Sequence, residues 1–105
     1  VMGIAEGIET AISASRLFGV PVWAAVNGTM LSKWVPPAIT KTVLIFADND
    51  ENYTGQSKAY ALANRLSVQH KIATEVLIPP NVGDDWNDHH LSQNSFDGPS
   101  VLGRM

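Results

Sequence analysis

Thr42 to Ala47 (TVLIFA) lacks the polar alternation of a strand that faces water on one side. Such a run, rich in β-branched residues, predicts a strand buried on both faces, as in parallel sheets covered by helices. It ends abruptly in Asp48-Asn49-Asp50. Any fold the chain adopts must therefore deliver two carboxylates to the end of a buried strand.

The flanking sequence supplies that strand's partners. Val1 to Ala5 reads as the end of a short buried strand that stops at Glu6-Gly7. A helix follows, with Ile8, Ala11, Ile12 and Ser15 expected on its packed face and Gly19, ahead of Pro21, as its left-handed stop. Pro21 to Val26 (PVWAAV) predicts a second buried strand, and Thr29 is expected to cap a brief helical turn reaching Trp34. Beyond Asp50, the residues Ala59, Leu62, Ala63 and Leu66 recur at the spacing of a helix packed on a sheet. Ile72 to Ile78 (IATEVLI) predicts a fourth strand, closed by Pro79-Pro80 and followed by the loop Gly83-Asp84-Asp85-Trp86-Asn87-Asp88. Residues 1–90 are expected to form the domain and residues 91–105 a polar tail or the start of a linker.

Apolar strands alternating with helices predict a three-layer, Rossmann-like α/β fold with about four mainly parallel strands and helices on both faces. Right-handed crossovers are then nearly obligatory, and a strand order of 2-1-3-4 would place Glu6 beside Asp48 and Asp50 with the switch point between them. At 105 residues there is room for one such domain. The absence of cysteine excludes disulfides and thiolate chemistry. No apolar run approaches the ~20 residues of a membrane span, so a cytoplasmic protein with no membrane partner is expected. Val1 stands inside an apolar run, as expected of a piece cut from a longer polypeptide.

Seven basic and ten acidic residues give a net charge of −3, which argues against gripping nucleic acid through bulk positive potential. The distribution is more telling. Glu6 and Glu9, then Asp48, Asp50 and Glu51, then Asp84, Asp85 and Asp88 follow the first, third and fourth predicted strands. In a parallel sheet those strand ends share one edge, where ligands bind near the reversal of strand order. Carboxylates crowded there repel unless a cation or a proton relieves them. Oxygen-only donors suit a hard cation such as Mg²⁺. Asp48 and Asp50 can both turn toward one ion while Asn49 points away, with Glu6 across the switch point as general base or second-metal ligand. The plainer alternative is a pair of acidic turn caps.

Glu6-Gly7 after one apolar strand, Asp48-Asn49-Asp50 after another and the Gly-x-Asp at Gly83 to Asp85 resemble the Toprim domain of topoisomerases, primases and related nucleases. The wording EGIETA, PVWAA, IFADND and DWND is most similar to Toprim modules of primases and primase-helicases carried by phages, plasmids and other mobile elements. The resemblance implies that Glu6 is the catalytic acid or base and that Asp48, Asp50 and Asp85 hold Mg²⁺ or Mn²⁺. It also implies partners acting through the full-length protein: a single-stranded DNA template, nucleoside triphosphates, and zinc-binding or helicase domains of the parent chain. Two positions depart from related patterns. Thr10 stands where bacterial primases commonly carry an aspartate, and Asn52 where topoisomerases carry a glutamate.

Accessory roles are open for Glu9, Asp84 and Lys58. Glu9 is equally a first-turn acid that favours its helix dipole. Asp84 and Asp88 are equally surface acids, and Lys58 and Arg65 solvated cations that reach phosphate only if the helix turns them toward the site. His89-His90 reads as a surface pair and Tyr53 as an exposed loop residue. Three functions follow as expectations: a primase-type nucleotidyltransferase module inactive as an isolated fragment, a metal-dependent phosphodiester hydrolase, or a non-catalytic module that binds metal or docks a partner.

Overall fold

The structure, a computed structural model, describes residues 1–92. Its elements alternate as β1 (Met2–Ala5), α1 (Ile8–Phe18), β2 (Val22–Ala24), α2 (Gly28–Lys33), β3 (Thr42–Phe46), α3 (Thr54–Gln69) and β4 (Ala73–Leu77). A further helical stretch covers residues 86–92. The four strands form one sheet in the order β2-β1-β3-β4, and every pairing is parallel. This is the order that puts the end of β1 beside the end of β3, and the strand order reverses between them.

Alternation along the central strands divides the core into two layers. Ile4, Val43 and Ile45 point to one face, where they meet Ala59, Leu62 and Leu66 of α3 and Leu31 of α2. Ala5 and Phe46 point to the other, against Ala11 and Ala14 of α1 and the ring of Trp86. Ile4, Val43, Ile45, Leu62 and Leu66 are fully buried, each stabilising the fold by roughly 1.5–3 kcal/mol. Helices therefore cover both faces of the sheet.

Three local expectations are corrected. The packed face of α1 is Thr10, Ala11, Ser13 and Ala14, whereas Ile8 and Ile12 are exposed at the rim beside β2. Small residues let α1 lie close to the sheet, and the bulk is supplied from outside its middle by Phe18, Phe46 and Trp86, whose rings pack at 5.0 to 6.0 Å. The PVWAAV segment forms only a three-residue edge strand with Trp23 exposed, because β2 ends the sheet and is paired on one side alone. The cap of α2 is Asn27, not Thr29: the Asn27 side-chain oxygen accepts the Met30 N–H at 2.9 Å.

Gly19 ends α1 at φ 68°, as the sequence predicts. Among the described residues no helix is long and apolar enough to cross a membrane. The tail expected over residues 91–105 lies, from residue 93 onward, outside the described residues.

Candidate active site at the carboxyl edge of the sheet

Parallel pairing carries Glu6, Asp48 and Asp85 to one edge. Glu6 follows β1 directly, and its carbonyl accepts the Val26 N–H at 2.6 Å, extending the ladder toward β2 by one rung. Val26 reaches this bond with φ 80°, a strained conformation for a β-branched residue. Asp48 follows β3 after Ala47, whose N–H donates to Leu77 of β4 at 3.0 Å.

Two cavities open on this edge and share Glu6 and Asp48. One, beneath α3, is lined by Glu6, Asp48, Asp50, Thr54, Gly55 and Lys58 over an apolar floor. The other, beneath the start of α1, is lined by Glu6, Glu9, Thr10, Val26, Asp48 and Asp85. Asp48 thus stands between Asp50 on one side and Asp85 on the other. Its carboxyl is pushed up to about 6, by burial first and then by the negative charges of Asp85, Asp50, Glu6 and Asp88. Asp85 is also raised, chiefly by burial, against the lowering effect of the backbone N–H bonds it accepts.

Asp50 and Asp85 each have a second task. The Gly55 N–H, in the first turn of α3, donates to Asp50 Oδ2 at 2.7 Å. The approach is tight, since a Cβ on residue 55 would lie 2.6 Å from that oxygen. Asp85 and Asp88 form a reciprocal capping box at the start of the 86–92 helix: Asp85 Oδ1 accepts the Asp88 N–H at 2.7 Å, and Asp88 Oδ2 accepts the Asp85 N–H at 3.1 Å. Of the Asp48–Asp50 pair, Asp50 thus serves as a helix-capping acceptor alongside its place at the edge.

Asn49 does turn away from the cavities, and its direction has a use. Its side-chain N–H donates to the Pro79 carbonyl at 2.7 Å, its backbone N–H donates to the Asp84 carbonyl at 2.9 Å, and its own carbonyl accepts the Gly83 N–H at 2.7 Å. Gln56 adds a bond from α3 to Asn49 Oδ1 at 3.2 Å. One residue thus fastens the loop after β3 to the loop after β4, which fixes Asp48 relative to Asp85. Trp86 completes the anchorage by donating its indole N–H to the Leu77 carbonyl at 3.1 Å.

The remaining candidates divide. Glu9 is exposed at the mouth of the second cavity, where Asn87 reaches its carboxylate at 3.5 Å. Asp84 lines neither cavity, and its carboxylate faces the Asn81 amide at 3.4 Å. Lys58 lines the first cavity, whereas Arg65 is committed elsewhere, donating to the Trp34 carbonyl. Tyr53 is exposed. The sequence gives no sign of the bonds Asn49 makes across the two loops, nor of the part played by Val26. Of the part played by Gly55 it gives only one, a helix disruptor placed in the first turn of a long helix.

Among the described residues no three Asp, Glu or His side chains converge closely enough to form a closed ligand cage. The donor set nonetheless fits a hard divalent cation of the kind held by one or two carboxylates, with water and substrate oxygens completing the shell. Asp48 is the natural centre, because it lines both cavities, and a cation there would relieve both the burial of its charge and the repulsion from Asp85, Asp50 and Glu6.

The family profile of the Toprim domain matches residues 1–95. No curated protein and no solved structure matches the chain. Toprim domains occur in primases, nucleases and topoisomerases and are usually catalytic, metal-dependent modules. The profile spans every element of the sheet and all five acids that line the two cavities, and the chain belongs to the Toprim domain family.

Proposed function

We propose that the chain is the catalytic module of a DNA primase-like protein that makes RNA primers by divalent-metal-dependent nucleotidyl transfer on a single-stranded DNA template. The observation that carries this reading is the position of Asp48, shared by two acid-lined cavities that also share Glu6. Asp48 and Asp50 hold Mg²⁺ or Mn²⁺ from the β3 loop, with Asp85 reaching the same edge from the loop after β4. When bound, the cation supplies charge neutralisation at the reacting phosphate. Glu6, which lines both cavities, takes the proton of the attacking hydroxyl.

Primase is favoured over topoisomerase by Asn52, which cannot supply the carboxylate of the topoisomerase pattern. The template and the nucleoside triphosphates meet this edge in the full-length protein, where neighbouring domains supply the basic surface that a net charge of −3 does not.

Primer synthesis by the full-length parent tests the reading. Glu6→Gln is expected to lower the rate by roughly 10²-fold or more, the scale of a lost general base. Undiminished synthesis overturns the assignment of Glu6. Cleavage of the template without synthesis assigns the phosphodiester hydrolase instead.

A further inference from the structure

The cavity beneath α3 holds a cation as well as carboxylates. Lys58 lines it together with Glu6, Asp48 and Asp50, yet among the described residues Lys58 makes no ion pair. Lys58 is exposed, and the flexible end of its side chain rests over Gly28, in the first turn of α2. A Cβ built on residue 28 would lie 2.6 Å from Lys58 Nζ and 3.1 Å from its Cε. The space a side chain at residue 28 would fill is the space the Lys58 head occupies. Gly28 is not in the left-handed region, so its backbone does not itself demand glycine.

An ammonium that lines one cavity with three carboxylates but is paired with none is free to take an anion without giving up a partner. The carboxylates repel a phosphate directly, and a divalent cation between them offsets that repulsion. A phosphate oxygen turned away from the cation then needs a donor of its own. Lysine, a compact point charge with three donors, suits a phosphate oxygen, and charge-assisted bonds of this type are about twice as strong as neutral ones.

We infer that the Lys58 ammonium, seated on Gly28, binds a phosphate oxygen of the metal-complexed substrate, with Gly28 as its positioning residue. The inference rests on the metal-dependent reading of this edge. A nucleoside triphosphate and a nucleic-acid backbone both present that oxygen.

Calorimetric titration of the 105-residue chain with Mn²⁺ alone, with Mn²⁺-ATP, and with a single-stranded oligonucleotide in saturating Mn²⁺ separates the possibilities. Lys58→Met is expected to leave Mn²⁺ affinity unchanged or tighter, since it removes a positive charge from the cavity. It is expected to weaken one or both phosphate ligands by about tenfold or more, and the ligand affected names the source of the phosphate. Gly28→Ala places a better helix former in α2, so its melting temperature is expected to hold or rise, while it shifts the flexible end of Lys58 and weakens the same ligand by less than Lys58→Met does. The double variant is expected to bind no more weakly than Lys58→Met, because both substitutions act through one amine. Wild-type chain that binds Mn²⁺ but neither phosphate ligand, or equal phosphate affinity in Lys58→Met, overturns this inference and leaves the metal reading intact. Absence of Mn²⁺ binding in the wild type overturns both.

Discussion

Asp50 accepts the Gly55 N–H at 2.7 Å, so the second acid of the Asp48-Asn49-Asp50 loop also caps a first-turn N–H of α3, the helix that starts after Tyr53. Charge and capping can be separated by substitution. Asp50→Asn keeps an oxygen for the N–H and removes only the charge, whereas Asp50→Ala removes both. Asp50→Ala is expected to cost about 1 kcal/mol more stability than Asp50→Asn in denaturant unfolding, with both losing metal affinity. Equal stability of the two variants would show that the cap contributes nothing.

Asp48 gives the chain a pH dependence whose sign follows from its environment. Its carboxyl titrates at about 6 in the folded chain and near 3.8 when unfolded. Between those values the folded state holds a proton that the unfolded state has lost, so this group stabilises the fold progressively as pH falls from above 6 toward 4. Metal-free wild type is therefore expected to gain stability between pH 8 and pH 5, relative to Asp48→Asn, in denaturant melts at the two pH values. At pH 8, Asp48→Asn is expected to be the more stable, having lost a repelled charge. A wild type and variant with the same pH slope would contradict the crowding of Asp48 by its neighbours.

Trp86 links the core to the site. It is buried against Phe18 and Phe46, and its indole N–H holds the Leu77 carbonyl one residue after Asp85 enters the edge. Trp86→Ala is expected to cost about 3–5 kcal/mol, and Trp86→Phe less, about 0.5–1.5 kcal/mol for the lost bond, since the Leu77 carbonyl keeps the Ala47 N–H. Both are read in denaturant unfolding. A cost below about 1 kcal/mol for Trp86→Ala would mean that the 86–92 helix is not packed on the sheet as described.

How far the sequence reaches is visible in these same residues. TVLIFA announced a central strand because both of its faces had to be buried, and its direction carried Asp48 and Asp50 to the edge with Glu6. Periodicity could not say that PVWAAV lies at the sheet's margin, since a strand's place depends on crossovers and not on its own composition. Nor could it choose the packed face of α1, where Ala and Ser proved closer to the sheet than Ile8 and Ile12. The Asp85-x-x-Asp88 capping box was legible in principle as a cap with an acid three residues on. The role of Asn49 was not, because its partners Pro79, Gly83 and Asp84 are about thirty residues away in sequence and join it only when β3 and β4 pair.

Titration of the metal-free chain with Mn²⁺ at pH 8, for wild type and Asp48→Asn, tests most directly whether the acid edge holds a divalent cation. The wild type is expected to bind, with the melting temperature rising as the ion relieves repulsion present only in the folded state. Asp48→Asn is expected to lose at least about tenfold in affinity, as removal of one charged donor from a site of one or two carboxylates requires. Mn²⁺ binding of equal strength in the two chains, or none in the wild type, would contradict a metal site centred on Asp48.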